Sequence, residues 1–264
     1  MEDPVKASDQ ISKLAAQGRY HFSTREIAQI MGVPLTAVRA ALRRLKQKGL
    51  IATPYRGFHV IVAPEYRGIG CLPADQFIGQ LLEHLGLAYY VALLSAARYH
   101  GAAHQQPQIF QVMVQKNRPP LECGNVRVGF VARRNIEKIP TVSFNSPRGP
   151  VRVSSPVGTA FDLVGYSAHA GGLDNATTVL AELSESINPQ ELESTAALSP
   201  MPWAQRLGYL FSLVGANEHA DALSEHVARS SHDTVLLDPS GPKSGALRDA
   251  RWKLLVNVEV EPDL

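Results

Sequence analysis

Cysteine is scarce in this chain. Among 264 residues there are two, Cys71 and Cys123, at unrelated spacing. A disulfide framework or a cysteine-based metal site is therefore not expected, and both residues read as reduced thiols in a core. Long apolar runs are missing as well, and none reaches the length of a membrane span. The start, Met1 to Gln10, is polar and charged, so no secretory leader is expected and the protein is placed in the cytoplasm, away from membranes. Low-complexity tracts and internal repeats are absent, which argues against wholesale disorder and repeat arrays. What is there is ordinary for a globular protein: 45% hydrophobic and 19% charged residues.

The formal charge of +2 conceals a division. Residues 1–63 hold ten Lys/Arg and four Asp/Glu, a balance of +6. The following 201 residues hold sixteen and twenty, a balance of −4. A basic front on a mildly acidic body suggests that only the front meets a polyanion.

The front reads as helix, short strand, helix, turn, helix and hairpin. Val5, Ile11, Leu14 and Ala15 give a first helix ending near Gln17-Gly18. Tyr20-His21-Phe22 is a short extended piece. Ser23-Thr24-Arg25-Glu26 has the S-x-x-E form of a capping box, so a helix should start at Thr24 and bury Ile27, Ala28 and Met31. Gly32 would end it in a left-handed cap, and Pro34 would open a third helix running to Lys48. Leu35, Val38, Leu42 and Leu45 form the stripe of that helix that packs inward. Thr36, Ala37, Ala40, Arg43, Arg44 and Gln47 lie opposite, with Arg39 and Lys46 on a flank. Leu50 to Thr53 and Phe58 to Val62 enclose a turn, Pro54-Tyr55-Arg56-Gly57, and complete a winged helix-turn-helix. The expected DNA-contacting set is Ser23, Thr24, Arg25, Thr36, Ala37, Arg39, Ala40, Arg43, Arg44, Lys46, Gln47 and Arg56. Small residues let the helix approach a groove floor, and long cations reach phosphates or guanine edges. Arg43 and Thr36 are expected to set sequence choice, and Arg56 to act as the cation of the wing.

A short linker, Pro64 to Gly70, separates this domain (1–63) from a larger α+β domain (71–264). Pro73 to Leu85 reads as a helix with Phe77, Ile78, Leu81 and Leu82 inward, and Tyr89 to Tyr99 as a strongly apolar helix. From Ile109 the apolar period becomes two, predicting strands over 109–114, 126–131, 141–144 and 151–153. Ser155-Pro156 starts another helix. Helices follow near 175–185, 189–198, 203–214 and 219–229, and a last strand near 253–260. The fold class is α+β, an N-terminal winged helix-turn-helix followed by a larger α+β domain.

No catalytic set declares itself in the second domain. Gly241-Pro242-Lys243-Ser244-Gly245 lacks the spacing of a phosphate-binding loop and reads as a surface loop. His100 and His104 have Gly101 between them and no third ligand. Glu259 and Glu261 read as a solvated strand face near Asp263. Asp162, two turns into its helix, is as well explained by a structural hydrogen bond as by chemistry. Catalytic residues, cofactor and metal are accordingly expected to be none.

Several stretches resemble the AbiEi antitoxins of the abortive-infection AbiE system, a type IV toxin–antitoxin class. They are Tyr89-Tyr90-Val91-Ala92-Leu93-Leu94-Ser95-Ala96-Ala97-Arg98-Tyr99-His100-Gly101, Val153-Ser154-Ser155-Pro156-Val157-Gly158-Thr159-Ala160-Phe161-Asp162-Leu163 and Arg251-Trp252-Lys253-Leu254-Leu255-Val256-Asn257. With the winged helix, the resemblance spans nearly the whole chain. It implies a repressor of its own operon, binding inverted repeats in promoter duplex DNA. It also implies an antitoxin that opposes a nucleotidyltransferase-like toxin without needing a stable complex with it. A monomer in solution is expected. The residues by themselves leave two rivals: a one-component regulator whose second domain senses a small molecule, and a nucleic-acid-processing enzyme guided by its winged helix.

Overall fold

The computed structural model describes residues 6–103 and 107–263. Val5 and His104, both singled out above, lie outside the described residues. The chain opens with α1 (Ala7–Ala16), β1 (His21–Ser23), α2 (Thr24–Met31), α3 (Leu35–Gln47), β2 (Ile51–Tyr55) and β3 (Phe58–Ile61). The three strands lie in the order β1-β3-β2, both pairings antiparallel. This is the winged helix expected from the sequence.

Its local causes are visible. Ser23 Oγ accepts from the Glu26 backbone N–H at 3.1 Å, and Glu26 Oε2 accepts from the Ser23 N–H at 3.3 Å. That reciprocal pair satisfies two donors that α2 would otherwise leave open. Arg19 holds the same carboxylate from outside, at 2.9 Å. Gly32 ends the helix at φ 63, a left-handed conformation cheap only for glycine.

Three details differ from expectation. Pro34 is extended (ψ 148) and caps α3, which starts one residue later. Leu35 is 39% exposed, and the packed stripe begins at Val38. Helical side chains lean towards the N-terminus, so a residue at the first position has none of its own helix beneath it. Ala28 and Met31 are half-buried, leaving Ile27 as the fully covered residue of α2.

Strand alternation divides the apolar residues of the hairpin between two cores. Ile51 and Ile61 pack with Ile11, Leu14, Phe22, Ile27, Val38, Leu42 and Leu45. Ala52, Phe58, Val60 and Val62 turn the other way, into a cluster with Leu72, Phe77, Ile78, Leu81, Leu82, Val112, Val114 and Val128. Between them, Pro64–Tyr66 is a 3-10 turn, and the Tyr66 hydroxyl accepts from Gln76 Nε2 at 2.8 Å. The first compact unit therefore extends past the winged helix and comprises residues 1–89, 108–133 and 143–152.

After the hairpin come α4 (Ile78–His84), β4 (Tyr89–Val91), α5 (Leu93–Tyr99), β5 (Phe110–Val114), β6 (Leu121–Cys123), β7 (Val126–Ala132), β8 (Thr141–Ser146) and β9 (Gly149–Ser154). The helix expected over Tyr89 to Tyr99 is thus a strand and a helix. Tyr-Tyr-Val is β-favouring, and the chain turns at Leu93, buried at φ 55. In the first unit β7 pairs with β5 in parallel and with β6 antiparallel. Strand β6 was not foreseen.

The second unit comprises residues 90–107, 134–142 and 153–264. It holds α6 (Pro156–Gly165), α7 (Leu173–Ser184), α8 (Gln190–Ala196), α9 (Met201–Leu213) and α10 (Asn217–Ser230), then β10 (Val235–Leu236), β11 (Leu247–Asp249) and β12 (Leu254–Val256). Ser155 caps α6 as expected, its Oγ accepting from the Gly158 N–H at 3.2 Å. The last strand is shorter than expected: just past Val256 the Asn257 side chain pairs with the Asp238 backbone, its Oδ1 accepting from the N–H at 3.0 Å and its Nδ2 donating to the carbonyl at 2.9 Å. Glu259 and Glu261 therefore lie in irregular chain, not on a strand. Among the described residues no helix is long and apolar enough to cross a membrane.

Candidate nucleic-acid interface

Helix α3 buries Val38, Leu42 and Leu45 and exposes Thr36, Ala37, Arg39, Ala40, Arg43, Arg44, Lys46 and Gln47. Arg56 is exposed at the hairpin tip, before Gly57 at φ 83. Arg25 is exposed on the first turn of α2. Ser23 differs in kind, since its hydroxyl is engaged in the capping box.

Five of the twelve sequence-expected residues converge. Thr24, Arg39, Ala40, Arg43 and Lys46 line one cleft of about 560 Å³, together with Leu42, Thr53 and His59. Ser23, Arg25, Thr36, Ala37, Arg44, Gln47 and Arg56 do not line it. Among the described residues no carboxylate lies within ion-pair distance of Arg39, Arg43 or Lys46. Three uncompensated cations on one wall give the cleft a positive potential.

Thr53 and His59 were missed by sequence reasoning. The available signal was a histidine in the apolar run Phe58 to Val62, on a strand whose neighbour carries a threonine. His59 is 7% exposed. Its Nε2 lies 2.8 Å from Thr24 Oγ1 and its Nδ1 3.0 Å from Thr53 Oγ1. Burial, with the charge of Lys46 acting in the same direction, pushes the imidazole down to about 4. Near neutral pH it is therefore an uncharged ring.

The two cysteines also meet in the first unit. Both are buried. Cys71 is pushed up by its hydrogen bond to the Cys123 sulfur and by burial, so it stays a thiol. Among the described residues no group of three or more His, Cys, Asp or Glu could hold a metal ion. Asp162 is fully buried on α6.

Comparison with known proteins decides the family. The family described as transcriptional regulator, AbiEi antitoxin matches residues 9–62, and the AbiEi antitoxin C-terminal domain matches residues 90–213. The chain belongs to the AbiEi antitoxin family. Neither matching description is that of an enzyme. A crystal structure of the RV2827C protein from Mycobacterium tuberculosis aligns with this AbiEi chain at a TM-score of 0.67. The alignment covers 96% of this chain and 92% of that one at 16% identity, and it concerns the fold. An antigenic nucleotidyltransferase-like protein from Paracoccidioides brasiliensis aligns at a TM-score of 0.36 and 9% identity, over 60% of this chain and 87% of that one. Among curated proteins none matches.

Proposed function

We propose that this AbiEi chain is a transcriptional autorepressor and antitoxin. Its winged helix, residues 1–63, binds duplex DNA at inverted repeats in its own promoter. The body, residues 71–264, opposes a nucleotidyltransferase-like toxin without catalysis of its own and without requiring a lasting complex. Both tasks belong to the cytoplasm, and the protein approaches DNA as a monomer.

The observation that carries the DNA-binding reading is the exposed face of α3, whose cations Arg39, Arg43 and Lys46 meet no carboxylate among the described residues. Uncompensated charge beside a hairpin bearing Arg56 is suited to phosphate neutralisation. Thr36, Ala37, Arg44 and Gln47, on the part of that face outside the cleft, are the groove-facing residues. Arg25 and Thr24 flank them from α2.

Fluorescence anisotropy with the fragment upstream of the gene tests this. If about five phosphates are neutralised, log affinity should fall against log salt with a slope of about −4 to −5. Replacing Arg39, Arg43 and Arg56 together by alanine should abolish binding. Wild-type affinity in that variant, or binding indifferent to salt, would overturn the reading.

A further inference from the structure

A neutral imidazole has one N–H and one lone pair. His59 stands between two hydroxyls, Thr24 Oγ1 and Thr53 Oγ1, one at each ring nitrogen. Whichever nitrogen holds the proton, one threonine must donate to the ring and the other must accept from it. The accepting threonine keeps its own O–H hydrogen. Among the described residues no other hydrogen bond to a protein group engages either hydroxyl. Both threonines and the ring line the cleft whose other wall carries Arg39, Arg43 and Lys46. The relay thus leaves one neutral donor in the cleft wall, under three cations.

We propose that this cleft seats one backbone phosphate of the bound duplex, and that His59 is a positioning residue which aims a threonine O–H at it. The inference rests on the DNA-binding reading above and adds a defined contact to it. A phosphodiester oxygen suits the donors better than a base edge. The cations approach from one side, the hydroxyl from the other, and α3 leaves Thr36, Ala37, Arg44 and Gln47 outside the cleft for base edges. The same geometry gives Arg43 a new role. Expected from its helix face to read guanine, it lines the phosphate cleft instead.

The relay also explains why a buried histidine belongs here. A fixed phosphate contact sets the register of α3 in the groove without carrying sequence information. An imidazole hydrogen-bonded at both nitrogens fixes the threonine rotamers before DNA arrives, so little ordering cost falls on binding.

The test uses the full chain, with the promoter fragment and a scrambled duplex of equal length. Nitrogen-15 NMR of His59 assigns its tautomer and thereby names the threonine with the free O–H. Valine at that threonine should weaken both duplexes alike, by about 3–10-fold for one neutral hydrogen bond, with the salt slope unchanged. Serine there should restore binding. Lys46→Ala and Arg43→Ala should also weaken both duplexes alike, each flattening the slope by about 0.9. Duplex DNA should shift the His59 ring signals, and inorganic phosphate should shift them less.

A valine variant that melts like wild type yet binds both duplexes with wild-type affinity overturns the phosphate seat. So does an Arg43→Ala loss confined to the promoter duplex. In either case wild-type binding stands, and the DNA-binding reading with it. If wild type binds neither duplex, that reading fails and the seat fails with it, whatever inorganic phosphate does to His59.

Discussion

The Arg148 guanidinium lies over the Tyr20 ring, 3.2 Å from its centroid. Arg148 also donates through Nε to Gln76 Oε1 at 2.9 Å and stands 3.7 Å from Glu65. Its own backbone carbonyl accepts from Gln80 Nε2 at 3.1 Å. One side chain thus gathers Tyr20 of the winged helix, the turn after the hairpin and the segment before α4, all inside the first unit. The charge is largely covered, at 12% side-chain exposure.

Arg148→Ala should therefore destabilise the protein. Losing the cation–π contact and stranding the Gln76 amide should together cost about 1–3 kcal/mol. Urea unfolding followed by tyrosine fluorescence reads this as a lower midpoint at unchanged slope. Lysine keeps the charge but not the planar stacking, so it should recover only part of the loss. A midpoint equal to wild type would show that the contact is incidental.

The pH dependence of stability should carry the mark of His59. Its folded value, about 4, lies below the ordinary 6.5. Between those values the unfolded chain binds a proton that the folded chain refuses. Stability from this group is therefore fully present above pH 6.5, is lost as the pH falls towards 4, and changes no further below it. The full shift corresponds to at most about 3 kcal/mol. His21 and His100, also lowered chiefly by burial, act with the same sign. The comparison is therefore wild type against His59→Gln across pH 4 to 7. The variant should show the shallower decline, and parallel curves would remove His59 from the account.

Gly208 of α9 should tolerate no side chain. A Cβ there would stand 2.0 Å from the Trp252 ring, which is itself 1% exposed. Neither the helix backbone nor a fully packed indole can yield cheaply. Gly208→Ala should cost at least about 1–3 kcal/mol as overpacking. Thermal denaturation reads the loss, and Trp252→Leu in the same chain should relieve part of it. If alanine alone leaves the midpoint unchanged, the close helix–indole packing is wrong.

The parts of the structure legible in the sequence are those that short-range chemistry determines. Ser23 and Glu26 are three apart, and Ser155 precedes Pro156, so both caps follow from spacing alone. The strand at Tyr89 to Val91 was hidden because a continuous apolar run fits a buried helix as well as a buried strand. Strand β6 is only Leu121-Glu122-Cys123, one apolar–polar–apolar step after Pro119-Pro120, too short to declare a period. The interface was half legible for the same reason. The cations of α3 declare themselves by helical spacing. Thr24 and His59 are 35 positions apart and meet only once the hairpin folds back.

The charge division between front and body leads to a separation of tasks. Arg39, Arg43 and Arg56 are exposed, so alanine at all three leaves the buried stripe of α3 intact and folding should survive. That variant should lose promoter binding, yet protect cells from the toxin when supplied in trans from an unrelated promoter. The measurement is growth of cells carrying the toxin under separate control, with antitoxin levels followed by blot. The folded protein should be used whole, because Ala52, Phe58, Val60 and Val62 share a core with Leu72, Phe77 and Val112. A fragment ending at residue 63 would expose that surface and lose stability for reasons unrelated to DNA. If the folded, DNA-blind protein fails to protect, neutralisation itself runs through DNA. The body is then not the seat of the antitoxin activity.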